Sequence, residues 1–413
     1  MLRYALVAMA TVALLAAAPA RAADLAPITL RAAIDRALAA NRDLRQADAL
    51  VTGAEAGIRI AGVRPNANLS IDALKVRPTR GFAGDRPDTV VRLEQTFERG
   101  DKRELRLAQA GSLLEAAQSD RSDTLRQLRS AVASAYWQLK SAEAAVALAE
   151  SDRQSYARLI ELARLRLSVG DLAGTDLARI EAEAARASTD ADLLQTQRRD
   201  QQVALAVLLA DESRAGVIAT VDEWPQPTEE PPADIDAVVE RRPDVIAARA
   251  RLDAAARQIE LARAQRTRDV TVGVQVERDE TRVNSVGLGI SVPIFTGNDF
   301  SGDIAAAIAS ETSAQIALEQ VRSAALAELD RLRVRLDVTA AAARRYRDEI
   351  VPGTDRATAG VRFAYENGAA TLLDLLDALR SQRATRRAAA DAYVAHATAR
   401  SAWQAALNLD ATP

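Results

Sequence analysis

Between Asp101 and Leu167 the chain runs without a proline, and no other stretch limits its fold as strongly. At about 1.5 Å per residue a helix of that extent spans roughly 100 Å, far more than a globular domain needs. Its apolar positions Leu125, Leu128, Val132, Ala135, Leu139, Ala142, Val146 and Ala149 step by alternating threes and fours. That period makes a helix supercoil against a neighbour. Asp101 with Glu104 supplies an expected capping pair at its start. Val169-Gly170-Asp171 then breaks the pattern, and Leu177, Ile180, Ala184, Ala187, Ala191 and Leu194 carry the spacing through a second helix from about Thr175 to Ala210. The two helices must fold back as an antiparallel hairpin, here placed at about 101–210.

Phe, Trp and Tyr make up only 3% of 413 residues, so close-packed layers of alanine-rich helices are favoured over a thick core. The charge balance is near neutral, 54 basic against 57 acidic residues, and the charges are interspersed; no basic surface for nucleic acid is expected. With no cysteine, disulfides and thiolate chemistry are excluded. Arg3, the apolar run from Tyr4 to Ala18 and Ala20-Arg21-Ala22 read as a secretory signal over residues 1–22. No later stretch is apolar enough for a transmembrane helix, so membrane entry would have to be as β-structure.

From Thr29, an expected N-cap, one helix is predicted to about Gly62. Strands follow at about 67–76 and 88–97, where apolar and polar residues alternate, separated by a Gly/Pro-rich loop from Pro78 to Pro87. A Pro-rich connector occupies 213–236. The plan then starts again: Arg242-Pro243-Asp244-Val245 echoes Asn41-Arg42-Asp43-Leu44, strands are predicted at about 269–277 and 284–294, and a hairpin at about 303–409, interrupted at Pro352-Gly353. Its first helix, to Ile350, repeats the seam at Leu329, Leu332, Leu336, Thr339, Ala343, Tyr346 and Ile350. Phe97 and Phe295, Gly170 and Gly368, and Asp176 and Asp374 are all 198 residues apart. Repeat 1 is thus 23–212 and repeat 2 is 237–413, an internal two-fold duplication.

Strands of about ten residues with one apolar face have the length and pattern of membrane β-barrel strands. Four cannot close, and an open edge in lipid leaves backbone groups unpaired. Further copies must supply the rest; a trimer gives a 12-stranded barrel wide enough for an aqueous pore, with the long helices continuing it as an α-helical tunnel. The fold class expected is therefore mainly α, with long antiparallel coiled-coil helices and four transmembrane β-strands per chain.

The duplicated plan, Val169-Gly170 with Thr175-Asp176-Leu177, and Tyr365-Glu366-Asn367-Gly368 followed by Leu373-Asp374-Leu375-Leu376-Asp377-Ala378 resemble the TolC-like outer membrane factors, trimeric channel-tunnels of Gram-negative export systems. Residues 63–70 (Val-Arg-Pro-Asn-Ala-Asn-Leu-Ser), 97–103 (Phe-Glu-Arg-Gly-Asp-Lys-Arg) and 292–295 (Val-Pro-Ile-Phe) are most similar to the CzcC-type branch serving heavy-metal efflux. The resemblance implies a homotrimer in the outer membrane with a periplasmic tunnel that docks to a periplasmic adaptor and an inner-membrane pump of RND type.

It also implies site residues. Asp374 and Asp377 match positions that line the tunnel entrance as rings of carboxylates; taken alone they read as solvated charges near a helix N-terminus. Thr175, Asp176 and Tyr365 match positions whose hydrogen bonds between neighbouring hairpins hold the entrance closed. The local alternatives are an N-cap for Thr175 and a packed aromatic for Tyr365. Ala370 stands where a well-known member has an arginine, so the gate bonds differ. The turns Val169, Gly170, Asp171, Leu172 and Asn367, Gly368, Ala369, Ala370 are the expected adaptor-docking tips. Phe97 and Phe295 end strands where either a membrane-interface aromatic or ordinary packing would fit. His396 is the only histidine, and no catalytic constellation, metal cluster or cofactor motif stands out. The expected function is a passive efflux conduit, without enzyme activity or cofactor, for divalent heavy-metal cations. The same channel in drug efflux or type I secretion is the alternative, and a soluble periplasmic coiled-coil adaptor is a rival from another class.

Overall fold

The computed structural model describes residues 27–74, 88–228, 233–279 and 281–407. The signal segment 1–22, the 78–87 loop, strand residues 75 and 76, Pro231 and Pro232 of the connector, and residues 408 and 409 of the last hairpin lie outside these. The order is α1 (Leu30–Ala40), α2 (Arg42–Ala61), β1 (Asn68–Leu74), β2 (Asp88–Phe97), α3 (Lys102–Ser168) and α4 (Gly174–Leu208). After a 3-10 turn (Glu212–Val217) come α5 (Ile235–Arg241), α6 (Pro243–Ala264), β3 (Val270–Arg278), β4 (Asn284–Ser291), α7 (Ser301–Arg345), a π turn (Tyr346–Ile350), α8 (Val351–Glu366) and α9 (Leu372–Ala406). The protein is mostly helical with one four-stranded antiparallel sheet, ordered β1-β2-β3-β4.

The long rod forms as its periodicity requires. Leu128, Val132, Ala135, Leu139, Ala142, Val146 and Ala149 are all buried, and α3 packs along α2, α4, α6 and α9. Tyr136, Trp137, Leu205 and Ile218 fill the main core, where Trp224 of the connector stacks on Trp137 at 5.8 Å. The connector is therefore strapped to the rods, and a parallel bridge joins Thr220 to Ile28. A second core joins α5, α6, α7 and α9 around Val245, Leu329, Leu336 and Trp403. Beside it Arg242, 4% exposed, bonds Asp244 at 2.7 Å and Glu328 at 2.9 Å. Burial is the largest influence and opposes charge on both Asp244 and Arg242, but their mutual bond and attraction, with Glu328 and Arg126 nearby, together outweigh it, holding the carboxyl below and the guanidinium above its usual range.

Several expectations are corrected. The helix predicted from Thr29 to Gly62 is two helices. Thr29 caps the first, accepting from Ala32 N at 3.2 Å, but Asn41 leaves helical geometry (ψ 139°) and caps the second through Asp43 N at 2.8 Å. Its Nδ2 also donates to Leu208 O at 3.0 Å, so a tertiary bond fixes the break. Asp101 is not a side-chain cap, because Gly100 and Asp101 are both left-handed (φ 75° and 56°). Glycine is required at 100, where a Cβ would come within 2.8 Å of Thr267. The rod's start is tied instead by Lys102 to Asp269 at 2.8 Å and Arg106 to Glu98 at 2.6 Å. Pro352-Gly353 does not interrupt the second rod: Pro352 sits in the first turn of α8, just after the π turn. A proline ring collides with the carbonyl four residues back, here Asp348, and the wider turn relieves that clash. The extra residue rotates the seam, so Leu329, Leu336 and Ala343 are buried while Ile350 is exposed.

In the sheet, pairing aligns Leu69, Leu93, Val274 and Leu288 in one row and Ile71, Val91, Val276 and Val286 in the next, all on one face. These are the exposed residues, Leu288 at 84%. The opposite, polar face is the less exposed, as the inner side of a curved sheet is. A sheet facing water would show the reverse. Beyond β4, Phe295 packs edge-on against Phe300 at 5.0 Å, while Phe97 is exposed. Among the described residues no helix is long and apolar enough to cross a membrane.

Candidate channel entrance at the hairpin tips

The two hairpin turns are built alike. At the first, Gly170 takes φ 81°, its N–H bonds Leu167 O at 3.1 Å, and Asp171 N bonds Arg166 O at 2.8 Å. At the second, Gly368 takes φ 76°, its N–H bonds Tyr365 O at 3.2 Å, and Ala369 N bonds Ala364 O at 2.7 Å. This paired closure of the last helical carbonyls demands a left-handed residue, which is why glycine stands at both.

The turns lie side by side over one small core of Tyr156, Ile180, Tyr365, Leu372, Leu375 and Leu376. Arg166 crosses between them, its guanidinium 4.9 Å above the Tyr365 ring and Nη2 3.5 Å from Glu366 O. Val169, Gly170, Asp171, Asn367, Gly368 and Ala369 are exposed at the tips. Leu172 and Ala370 are half-buried against the core.

Asp374 and Asp377 are both exposed, one turn apart on α9. Asp374 is more than a free charge. Thr371 Oγ1 accepts from Asp374 N at 3.2 Å, while Asp374 Oδ2 accepts from Thr371 N at 2.9 Å and Thr371 Oγ1 at 2.6 Å. These bonds hold its carboxyl below the usual range. At the equivalent place in the first hairpin the N-cap is Ala173, with no side-chain oxygen, and Asp176 turns to Arg179 at 3.8 Å. Thr175 is therefore one residue inside the helix and not its cap.

Within one chain the Tyr365 hydroxyl makes no hydrogen bond to Thr175 or Asp176. Tyr365 is 4% exposed, its hydroxyl buried without a hydrogen-bond partner, while Thr175 is exposed. Ion pairs also join the hairpins, among them Glu183 with Arg380 at 2.7 Å and Asp190 with Arg383 at 3.6 Å. Sequence reasoning missed these, as it missed Arg166. The Thr371-x-x-Asp374 box was locally readable. A groove of about 710 Å³ lies between the hairpins, floored by Ala142, Ala149 and Ala187. At its side Asp152 Oδ2 is buried without a partner, and burial pushes that carboxyl up against the pull of Arg383 and Arg386. Among the described residues no cluster of three metal-ligating side chains occurs.

The family model of the outer membrane efflux protein matches residues 33–211 and 235–409, both halves of the chain. The chain belongs to the outer membrane efflux protein family. Two relatives of this efflux family are each 27% identical: the cobalt-zinc-cadmium resistance protein CzcC of Cupriavidus metallidurans, over 86% of this chain and 84% of that one, and the pyoverdine export outer membrane protein OpmQ of Pseudomonas putida, over 83% and 77%. The crystal structure of the outer membrane protein VceC from Vibrio cholerae superposes with a TM-score of 0.75 at 23% identity, covering 92% of this chain and 95% of that one. The efflux-protein fold is thus the one the sequence pattern predicts, and an outer-membrane location accords with it.

Proposed function

We propose that this efflux protein is one subunit of a homotrimeric outer-membrane channel whose strands form a 12-stranded barrel and whose rods continue it as a periplasmic tunnel. The observation that carries this is the sheet: an exposed apolar face, a sheltered polar face, and two open edges, β1 and β4. The eight to ten residues of β2, β3 and β4, at about 3.4 Å each and tilted, match the hydrocarbon thickness. Because the open edges differ, β4 of one copy pairs with β1 of the next, and repetition closes a ring rather than a two-fold dimer. The same closure brings α7, following β4, beside α2, preceding β1, and both carry exposed apolar residues, Ile308 and Ile316 on one and Leu50 and Ile60 on the other.

The tips around Gly170 and Gly368 dock a periplasmic adaptor, which connects the tunnel to an inner-membrane pump of RND type. The cargo is divalent heavy-metal cations, supported by the exposed Asp374 and Asp377 and by the likeness to a cobalt-zinc-cadmium resistance protein. The chain acts as a passive conduit without catalysis. Deleting the gene should sensitise cells to cobalt, zinc and cadmium, and the protein should fractionate as an outer-membrane trimer. Cysteines at Val169 and Ala369 should crosslink to the adaptor. A periplasmic monomer would overturn the channel, and unchanged metal tolerance with lost siderophore export would move the cargo to the pyoverdine class.

A further inference from the structure

On the polar face of the sheet the side chains do not stand upright. Arg92 on β2 leans across to β3, where its Nε and Nη2 both donate to Gln275 Oε1 at 3.1 and 2.9 Å. Gln275 in turn lies over Gly287, its partner on β4: a Cβ at 287 would stand 2.9 Å from Gln275 Cγ and 3.1 Å from its Nε2. One level along, Glu94 lies over Gly273 in the same way, with Cγ 3.1 Å from where a Cβ would be. Glu94 Oε1 is also 3.8 Å from Arg92 Nε.

These glycines are not turn residues. Both sit within regular strands, where glycine weakens the pairing and marks a close approach. Here what approaches is the flattened side chain of the preceding strand. The charges explain what flattening achieves. Among the described strand residues other than the buried Asp88, this face carries the carboxylates Asp72, Glu94 and Glu277 against a single cation, Arg92. Laid flat beside Glu94 and bonded to Gln275, that cation, its side chain 40% exposed, is held along the wall instead of reaching out from it.

Building on the barrel proposed above, we infer that the Arg92–Gln275–Gly287 row sets the ionic preference of the barrel lumen, by holding its arginine against the wall so that the carboxylates dominate. Gly287 is the positioning residue: it gives Gln275 its seat, and Gln275 gives Arg92 its acceptor. A side chain at 287 forces Gln275 to move, and Arg92 swings inward.

The test uses the full-length trimer in planar bilayers, with reversal potentials across a KCl gradient. Three proteins are compared with wild type: Gly287→Val, which fills the seat; Gln275→Ala, which removes the acceptor without adding bulk to a strand; and Gly287→Val with Arg92→Gln. Each single variant should lower the cation-over-anion permeability ratio about twofold at ~0.01 M salt, where the screening length is roughly 30 Å, and the loss should vanish near 1 M, where it is about 3 Å. The double variant should regain cation preference. Single variants matching wild type, or a loss that persists in the double variant, would overturn the row. Should Gly287→Val not assemble, Gln275→Ala decides alone. Absence of pores from wild type would instead overturn the channel itself, an outcome separate from wild-type pores that the variants merely copy.

Discussion

Glu183 on α4 accepts a 2.7 Å hydrogen bond from Arg380 on α9, and through it the first hairpin is pinned to the second. Glu183 is only 8% exposed and also takes Arg186 at 3.0 Å, so truncating it removes the one acceptor shared by two largely solvated guanidinium groups. Arg380 lies half in solvent, which screens the pair to about 1 kcal/mol.

The first prediction follows from the charge state. The bond from Arg380 chiefly holds the Glu183 carboxyl below its usual range, against the opposing effect of burial. A depressed carboxylate stabilises the fold above its unfolded pKa of about 4.3, and that contribution fades as pH falls through the folded value. Spin labels at Thr189 and Ser381 should report a sharp hairpin separation at pH 7, broadened in Glu183→Ala. Wild type should acquire the same breadth only on acidification below the usual glutamate range. Equal widths at pH 7 would remove the pin.

A second prediction concerns the strap. The Tyr136 hydroxyl lies 2.7 Å from Asp222 Oδ2 and 3.0 Å from Ile28 O, and accepts from the backbone N–H groups of Val221 and Asp222 at 3.2 Å. Burial and then the Asp222 carboxylate push its titration well above the ordinary tyrosine range, so it stays a neutral donor. Tyr136→Phe leaves those groups partly unsatisfied, at a cost of ~1–3 kcal/mol. Chymotrypsin should then cut near Trp224 faster than in wild type. An unchanged cleavage rate would mean that the Trp137–Trp224 stack alone holds the connector.

What the sequence revealed of this molecule was what repeats locally. The seam of α3, the alternation in β2 and β3, and glycines at 170 and 368 each follow from a period or a single backbone demand. The break at Asn41 was hidden because the apolar stripe of Ala33, Ala37 and Leu44 runs through it, and the deciding bond comes from Leu208, far along the chain. The π turn was misread as an interruption because Pro352 signals a clash without saying how the preceding turn relieves it. At the proposed entrance, Asp374 and Asp377 could be placed on one exposed helix start, but pairs such as Glu183–Arg380, separated by 197 residues, leave no local mark. The gate residues Thr175, Asp176 and Tyr365 show the opposite limit: resemblance assigns them bonds between neighbouring hairpins, and in a single chain the Tyr365 hydroxyl has no hydrogen-bond partner.

The last prediction separates two roles that coincide in Asp374. As a ring charge it would attract cations together with Asp377, while as the partner of Thr371 it fastens the first turn of α9. Thr371→Ala removes the fastening and leaves both carboxylates; Asp377→Ala removes one charge and leaves the box. Hydrogen exchange at Leu372–Leu375 should therefore accelerate in Thr371→Ala alone, whereas divalent block in single-channel recordings should weaken in Asp377→Ala alone. Because Thr371 holds the Asp374 carboxyl below its ordinary range, the box contributes above the unfolded pKa and is lost only as pH falls through the lower folded value. In wild type, protection of that turn should accordingly outlast the usual carboxylate range on acidification. If Thr371→Ala also abolishes the block, the box does more than fasten the helix: it aims Asp374 into the pore, and the two roles are one.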